Sequence, residues 1–451
     1  MAGRKVLLEI ARPLASPFDL NEAAFSSPAE ASRQVLQAAE GIAGAGVQIE
    51  EAAVPVPMLI GPDGSVPTLL ESLGARPSLT TRGDMTSETV VVPAEVTDAA
   101  LERLRGRPDV EVWENSELTL YQPAAVVDCS PFKPAVTIAV VQQKLGVSRI
   151  WKDGHRGEQI IVAIVDEGVS GTHYPVVGGF SLPGAQTPGS APVTSHGSMC
   201  AADVLVAAPS AKLYDYPFLG VPNSGGALQM FQAILNQRTR DGTPHVANNS
   251  YGFVGIPDPA QFPNHEVHNI NHPLHRKVRE VIAAGVVCFF AAGNCGQNCP
   301  SSRCQVSGIG PGKSIHASNS LEEVVTIAAV NSDHDRIGYS SQGPGRFFSQ
   351  KPDVASYSHF FGNFGPGRPA GGTGFDNGTS AATPVAAGVA ALLLSAMPAI
   401  NPARMKQAMI ASAIAPVGAA VWNADFGHGI VNAEAAYEWL LQQNAPLQRV
   451  G

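Results

Sequence analysis

The sequence is poor in charged residues, which make up only 15% of its 451 residues, and it contains no run of lysine or arginine. Nucleic acid binding needs a concentrated basic surface, so the moderate net charge of −9 argues against that partner. The amino terminus also lacks a long apolar core, since only residues 6–10 (VLLEI) precede Arg12. We therefore expect no secretory signal and a cytoplasmic protein, although this leaves secretion open.

Uncharged stretches long enough to cross a membrane are also scarce. Residues 381–400 (AATPVAAGVAALLLSAMPAI) carry no charge, but they are rich in alanine and glycine and are interrupted by Pro384 and Pro398. This composition favours the buried helix of a large core over a membrane span. We expect neither a membrane nor nucleic acid as a partner.

Glycine and proline, by contrast, are plentiful, with 46 and 36 residues, and 44% of the chain is hydrophobic. This balance fits a large core with many tight turns. Residues 1–117 show the pattern β-α-β-β-α-β, which predicts a small ferredoxin-like α+β domain. The predicted strands are residues 6–10, 47–54, 88–96 and 110–113, and the predicted helices are residues 28–42 and 98–106.

Residues 137–451 have a different pattern, in which apolar strands alternate with helices. Strands that are apolar throughout are typical of a parallel sheet covered by helices on both faces, so we expect an α/β domain. A linker at 118–136 joins it to the small domain. Functional loops of such sheets gather at the carboxyl ends of the strands. The predicted strands are residues 160–166, 211–219, 246–252, 286–294 and 324–331, and the predicted helices are residues 226–240 and 274–285.

Two candidate functional residues are Asp166 and His196. Asp166 ends the strand IIVAIVD, where a carboxylate can orient a histidine, bind a metal ion or cap the next turn. His196 opens the segment HGSMCAADVLVAAP, which has the small apolar residues of a helix that packs on a sheet. Each signal alone is weak, because capping aspartates and structural histidines are common.

Two further candidates are Ser380 and Asn294. Ser380 begins a long apolar helix, where it can cap the helix or act as a nucleophile. As a nucleophile, its backbone N–H would face a developing oxyanion from the positive end of the helix dipole. Asn294 ends the segment FFAAGN, and its amide can donate to the same oxyanion or only satisfy a turn.

Taken together, these segments resemble the subtilisin-like serine peptidases, the subtilases, in which the Asp, His and Ser motifs occur in this chain order. The resemblance covers roughly residues 140–440. It implies a subtilisin-like parallel sheet and a serine endopeptidase with Asp166, His196 and Ser380 as its catalytic triad. It also implies that Asn294 is the oxyanion donor.

The resemblance implies where substrate binds as well. NNSYG (248–252) resembles the family strand whose backbone pairs with substrate, and KPDVAS (351–356) resembles a further family segment. No cofactor or metal site is expected: calcium often stabilises this family, but no acidic loop here maps onto a calcium site. The expected substrate-binding residues are Ser250, Tyr251, Gly252, Ala291, Ala292 and Gly293.

The sequence also departs from the family pattern. Glu167 stands beside the triad Asp in place of a small hydroxyl residue. None of the departures removes a catalytic atom, but they indicate an outlying branch, so substrate preference is not carried over from well-known members. The other replacements are Ser198, Met199 and Ala202 after His196, and Ala381 and Thr383 after Ser380.

The implied reaction is hydrolysis of a peptide or protein substrate through an acyl-enzyme on Ser380. Two other functions stay open. If an amine replaces water, the same intermediate makes the chain a peptide ligase or macrocyclase. A catalytically dead chain would be a binding protein, although the complete set of four functional residues argues against it.

The small domain resembles the inhibitor propeptide of this family, chiefly over residues 88–118. This implies a self-processing zymogen whose propeptide remains a partner after cleavage; the alternative is an unrelated scaffold domain. The linker 118–136 is Pro-rich and suited to an extended conformation. We expect the cut near Tyr121 or Gln122.

Cys295, Cys299 and Cys304 cluster just after Asn294. Three thiols at this spacing can bind zinc with a fourth ligand such as His316, or form one disulfide and leave a free thiol. We favour the disulfide, because subtilases do not generally carry zinc here, although a reducing cytosol would oppose it.

Overall fold

The computed structural model describes residues 3–11, 28–50, 53–61, 89–120, 135–182, 185–218, 222–415 and 421–444. The cut predicted near Tyr121 or Gln122 lies outside these residues. Within them the chain forms a small antiparallel sheet near the amino terminus and a larger parallel sheet after it.

The small domain consists of β1 (Arg4–Ala11), α1 (Pro28–Ala43), β2 (Val47–Ile49), β3 (Val56–Met58), β4 (Thr89–Val96), α2 (Asp98–Arg105) and β5 (Val110–Glu114). Its strands pair antiparallel in the order β2-β4-β1-β5, and β3 also pairs with β4. This order confirms the ferredoxin-like prediction. The strand predicted at 47–54 is shorter: β2 ends at Ile49.

The second domain and its connections contain further strands and the helices that cover them. Two short 3₁₀ helices span Val306–Gly308 and Ala317–Ser320. In chain order the elements are β6 (Thr119–Leu120), β7 (Val136–Thr137), α3 (Ile138–Leu145), α4 (Ser148–Lys152), β8 (Ile161–Asp166), β9 (Val176–Gly179), α5 (His196–Ala207), β10 (Lys212–Pro217), α6 (Ser224–Asp241), β11 (Val246–Asn249), β12 (Tyr251–Gly252), α7 (Pro273–Ala283), β13 (Val287–Ala291), β14 (Val325–Val330), β15 (Val354–Tyr357), β16 (Phe360–Phe361), α8 (Thr379–Ala396), α9 (Pro402–Ala411) and α10 (Ala433–Asn444).

The large sheet has the strand order β15-β14-β13-β11-β8-β10-β9, and all its pairs are parallel. Alternate residues of the central strand β8 serve two cores. Val162 and Ile164 pack in the core that includes α5 and α8, and Ala163 and Val165 pack in the core that includes α6 and α7. Helices therefore cover both faces, as the apolar runs predict. The sequence missed both edge strands: β9, which is only partly buried, and β15, which is buried but only four residues long.

Helices α5 and α8 lie side by side on one face of the sheet. A Cβ added at Gly388 of α8 would collide with the Val204 carbonyl of α5, so glycine permits this approach. Among the described helices, Thr379–Ala396 is long and apolar enough to cross a membrane, but 89% of it is buried inside the structure. That burial is typical of a core helix and agrees with the sequence.

Two short strand pairs tie the ends of the linker to the large domain. Strand β6 pairs antiparallel with β12, and β7 pairs parallel with β16. Because β6 directly follows the small domain in sequence, the exit from that domain lies against the large one.

Gly388→Ala should destabilise the protein by about 1–3 kcal/mol, because the added methyl group overpacks the contact between α5 and α8. Gly41→Ala is the matched control: a Cβ there meets nothing within 4 Å, and alanine in helix α1 should stabilise the protein by about 0.5–1 kcal/mol. Chemical denaturation of both variants measures the free energy of unfolding. If Gly388→Ala were as stable as the wild type, the close approach of α5 and α8 would be contradicted.

Candidate active site

Asp166 and His196 meet at the carboxyl end of the large sheet. Asp166 is the last residue of β8 and His196 the first of α5, and both are buried. His196 Nδ1 lies 2.8 Å from Asp166 Oδ1 and 3.0 Å from Oδ2. Because a carboxylate accepts hydrogen bonds, Nδ1 is the donor nitrogen of this pair, which leaves Nε2 as the nitrogen that can accept a proton.

Ser195 explains why α5 begins where it does. Its Oγ accepts a hydrogen bond from the Ser198 N–H at 3.1 Å, which caps the helix, and lies 2.8 Å from the Gly168 carbonyl. This side chain connects the helix start to the turn after Asp166. The two segments that carry the Asp–His pair are therefore held together.

Glu167 makes a second connection between the same segments. Its Oε1 accepts the backbone N–H of His196. The first N–H groups of a helix have no partner within the helix, so an acceptor there stabilises the helix start. The unusual carboxylate identified in the sequence thus has a local structural role.

Ser380 lies buried in the first turn of α8, and its Oγ lies 3.4 Å from the Ser250 carbonyl. The Cys200 thiol lies close to all three predicted residues. Its Sγ lies 3.7 Å from Asp166 Oδ2, 4.0 Å from His196 Nδ1 and 3.5 Å from the Ser380 carbonyl oxygen. The structure therefore brings these three predicted residues into one cluster.

Cys200 was not among the predicted site residues, although it stands four positions after His196, a spacing that puts both on one face of a helix. Burial, and then the negative charge of Asp166, raises the pKa of the Cys200 thiol well above its ordinary value. The thiol is therefore neutral and is not a competing nucleophile. Ligand atoms of Asp166, His196 and Cys200 lie within 4.8 Å of one another, but His196 Nδ1 is already engaged by the Asp166 carboxylate. The arrangement fits proton transfer better.

Asn294 follows β13, and its side chain is held by Thr379. Asn294 Oδ1 accepts hydrogen bonds from the Thr379 N–H and Oγ1, each at 3.0 Å. Because the carbonyl end of the amide is engaged, Nδ2 is the atom that can donate to an oxyanion. Thr379 directly precedes Ser380, so the predicted donor and nucleophile are linked. The catalytic role of Asn294 stays a prediction.

The predicted substrate-binding strand forms a sheet edge that already holds an extended chain. Tyr251 and Gly252 of β12 pair antiparallel with Leu120 and Thr119 of β6. The neighbouring Ser250 carbonyl lies close to the Ser380 hydroxyl, as given above. A chain on this edge therefore runs toward Ser380, which is the geometry expected of a substrate.

Ala291, Ala292 and Gly293 lie at the end of β13, just before Asn294. The Ala291 carbonyl accepts from Asn319 Nδ2 at 2.8 Å, and the Ala292 N–H donates to the Ile327 carbonyl at 2.9 Å. These atoms have partners inside the protein. The substrate contacts predicted for these three residues stay a prediction.

The cysteine loop contains the disulfide favoured by the sequence, between Cys295 and Cys304. Cys299 is also disulfide-bonded, so the prediction of a free third thiol is wrong, as is the zinc alternative. Burial lowers the pKa of His316, the suggested fourth ligand, to about 3. Disulfides are typical of oxidising compartments, whereas the sequence predicts a cytoplasmic protein, and the cellular location stays a prediction.

Comparison with known proteins gives consistent matches. The model of the subtilase family (peptidase S8) matches residues 157–429. Subtilisin DY from Bacillus licheniformis is 28% identical over 298 residues, which cover 64% of this chain and 94% of that protein. Serine protease AprX from Bacillus subtilis is 28% identical over 319 residues, which cover 62% of this chain and 66% of that protein.

Solved structures agree at the level of the fold. Fervidolysin from Fervidobacterium pennivorans, a keratinolytic enzyme related to subtilisin, matches with a TM-score of 0.56 and 20% identity. The match covers 77% of this chain and 56% of that chain. A lanthipeptide protease matches with a TM-score of 0.51 and 18% identity, over 67% of this chain and 94% of that chain.

Proposed function

This chain belongs to the subtilase family and is a serine endopeptidase, and from that premise we propose which residues carry the reaction and how its activity is released. Asp166, His196 and Ser380 act as the triad, and Asn294 donates to the oxyanion. The observation that carries this proposal is the buried cluster in which Cys200 Sγ lies within 4.0 Å of atoms of all three triad residues.

The reaction begins when His196 Nε2 takes the proton from the Ser380 hydroxyl, whose oxygen attacks the carbonyl carbon of the substrate peptide bond. Asp166 accepts the Nδ1 hydrogen bond, which orients the ring and stabilises the imidazolium. The amine leaves with the proton from Nε2. Water, activated by the same nitrogen, then hydrolyses the ester on Ser380.

Negative charge develops on the substrate carbonyl oxygen and needs donors that are already in position. The Ser380 backbone N–H lies in the first turn of α8, where the helix dipole favours an anion. Asn294 Nδ2 is the second donor. Thr379 supports both, because it adjoins Ser380 and holds the other end of the Asn294 amide.

Ser380→Ala or His196→Ala should each lower kcat for peptide hydrolysis by about a millionfold, the loss known for a subtilisin, because the triad acts as a unit. Asn294→Ala should lower kcat by about a hundred- to a thousandfold, again a magnitude known for a subtilisin. Ser395→Ala, in the last turn of α8, is the control and should leave kcat unchanged. Near wild-type kcat in Ser380→Ala would exclude this assignment.

We also propose that the chain is a zymogen whose first substrate is its own linker. Strand β6 already lies on the edge formed by Tyr251 and Gly252, beside the Ser250 carbonyl that contacts Ser380. The bond predicted to be cut, near Tyr121 or Gln122, follows β6 directly in sequence. Because the linker is tethered, its effective concentration at the site is high, so even a mediocre sequence is cut first.

Expression of the wild type beside Ser380→Ala tests self-processing. The wild type should yield two fragments with a new amino terminus within 118–136, and the variant should yield one intact chain. Amino-terminal sequencing and mass spectrometry read out both. A wild type that stays at full length and yet digests peptides would make the small domain a permanent accessory.

A buried ion pair supports retention of the small domain after cleavage. Arg276 of α7 pairs with Glu9 of β1, and both side chains are at most 1% exposed. Arg276 also donates to the Ile60 carbonyl at 2.6 Å, and Trp113 Nε1 donates to Glu9 at 2.8 Å. If the small domain left, the Arg276 charge would lose its counterion and this carbonyl acceptor together.

A second charged pair extends the same interface. Lys277 pairs with Glu280 on α7 and donates to the Pro57 carbonyl at 2.6 Å. Glu280 accepts the backbone N–H groups of Leu59 and Ile60 at 2.7 and 2.9 Å. The large domain thus offers side-chain donors and acceptors that match the backbone of β3 and of the segment after it.

Apolar side chains connect these polar contacts into one core. Leu7, Met58 and Trp113 of the small domain belong to the same buried cluster as Phe231 and Val278 of the large one. Burial of apolar surface stabilises such an interface without a covalent bond. The released domain should therefore stay bound as an inhibitor.

Glu9→Gln should weaken the binding of the cleaved small domain roughly a hundredfold, since breaking a buried ion pair costs about 3 kcal/mol or more. Glu102→Ala is the matched control, because its ion pair with Arg105 is exposed and lies within α2. Gel filtration and inhibition of peptide cleavage measure retention. Loss of the small domain from wild type immediately after the cut would contradict this prediction.

A further inference from the structure

Two buried aspartates that the triad does not use meet between the segments that carry His196 and Ser380. Asp203 lies on α5, two turns after His196, and Asp376 lies four residues before Ser380. Both side chains are 0% exposed. A Cβ built at Gly362 would lie 2.6 Å from Asp203 Oδ1 and nearer still to Asp376 Oδ2, so the two carboxyl groups converge on one point.

In the described part of the chain, backbone N–H groups donate hydrogen bonds to the Asp376 carboxylate, but not to that of Asp203. Asp376 Oδ1 accepts the Phe364 N–H at 2.8 Å, and Oδ2 accepts the Asn363 N–H at 2.5 Å. Among the described residues, no N–H or hydroxyl group donates to either oxygen of Asp203. An ionised carboxylate buried without a donor and beside a second carboxylate is strongly unfavourable.

The charged and titratable groups around the pair do not provide the missing donor. Tyr174 gives its hydroxyl hydrogen to Asn363 Oδ1, and Arg368 Nε donates to the Gly362 carbonyl at 2.7 Å. The Cys200 thiol, on the same helix, points to the triad, as described above. What remains within reach of Asp203 is the Asp376 carboxylate.

We propose that Asp203 is a neutral carboxylic acid whose O–H donates a hydrogen bond to the Asp376 carboxylate and thereby fixes the segment before Ser380 to the helix of His196. Asp203 is a positioning residue, since it touches neither substrate nor a reacting atom. This role rests on the proposed triad, but the protonation of Asp203 does not.

The direction of the pKa shifts agrees with this assignment. Burial, and then the charge of Asp376, raises the pKa of Asp203 well above its ordinary value. Burial also raises the pKa of Asp376, while the hydrogen bonds from Asp203 and from the Phe364 and Asn363 amides oppose that rise. The proton of the pair therefore belongs on Asp203.

Backbone hydrogen bonds of Asp376 couple the ionisation state of the aspartate pair to the neighbouring segment. Its N–H donates to the Phe360 carbonyl at 2.9 Å, and its carbonyl accepts the His359 N–H at 3.0 Å. If Asp203 ionised, two negative charges would repel each other in a buried site, and this segment would move. Ser380, four residues later, would lose its alignment with His196.

The sign of the stability change follows from the raised pKa. Below the ordinary pKa of an aspartate, the folded and unfolded chains both hold the proton, and stability does not change with pH. Above it the unfolded chain loses the proton and the folded chain keeps it, so stability falls as pH rises, up to the folded pKa. One such proton changes the unfolding equilibrium constant tenfold per pH unit.

The first test uses the intact chain without activity, in a Ser380→Ala background. Chemical denaturation from about pH 5 to about pH 8 is compared with and without Asp203→Asn, which keeps a donor for Asp376 but cannot ionise. The Asp203→Asn variant should gain about tenfold in the folded-to-unfolded ratio over its parent for each pH unit. A difference that is independent of pH would mean that Asp203 is ionised in the folded chain and would overturn the proposal.

The second test separates positioning from stability in the active enzyme. Asp203→Ala should lower kcat by roughly tenfold to a hundredfold with little change in KM, because a small misplacement of reacting groups is costly. Asp203→Asn should restore kcat to within about twofold of wild type. Asp215→Asn, at a buried aspartate held by the Val169 and Gly189 N–H groups, is the control for burial. Burial raises the pKa of Asp215 to about 6, so the gain of Asp215→Asn over its parent should stop growing near pH 6, whereas the gain of Asp203→Asn should continue to grow to about pH 8.

Equal losses of kcat in Asp203→Ala and Asp203→Asn would overturn the positioning role. If the triad assignment itself failed, kcat would be insensitive to Ser380→Ala, while the denaturation experiment would still report the proton on Asp203. The two failures are therefore distinguishable.

Discussion

Helices α5 and α8 approach each other backbone to backbone, where Gly388 meets the Val204 carbonyl, and their first turns hold His196 and Ser380. The distance between a base and a nucleophile on two different helices is set by how closely those helices pack. In the proposed mechanism, a larger side chain at this contact would push His196 and Ser380 apart, and a misplacement of about 1 Å is already costly for the reaction. The small residues of α8 are therefore as much a requirement of the chemistry as of the core.

The small domain is held by two kinds of contact that differ in what they recognise. Near Ser380 the contact is a strand pair, β6 with β12, made by backbone atoms that any extended peptide can offer. Farther away, Arg276 and Glu280 bind atoms that belong to the small domain itself. On the proposed scheme, the edge beside Ser380 can accept any extended peptide, while contacts at a distance from it determine which inhibitor binds.

The sequence predicted the parts of the molecule that leave a periodic or positional signature. Apolar runs identified five of the seven described strands of the large sheet, and the ends of two of them lead to Asp166 and Asn294. The edge strands β9 and β15 were missed: partial burial leaves no apolar run at β9, and the buried β15 is only four residues long. The Asp203–Asp376 pair was also missed: a pattern of burial does not report which polar groups meet across the core. Cys200 could have been predicted from its spacing of four residues from His196, which places both on one face of a helix.

The contact between β6 and β12 has a consequence for how the amount of protein governs activity. On the proposed scheme, cutting the tethered linker is a unimolecular step, and its rate constant is the same at every concentration. Dissociation of the severed domain is reversible, and its reassociation is a second-order reaction. Mass action therefore favours the complex of the two domains in a concentrated solution. On the proposed scheme, dilution acts as the trigger: molecules matured together in a crowded volume stay latent and begin to digest other proteins once they are dispersed.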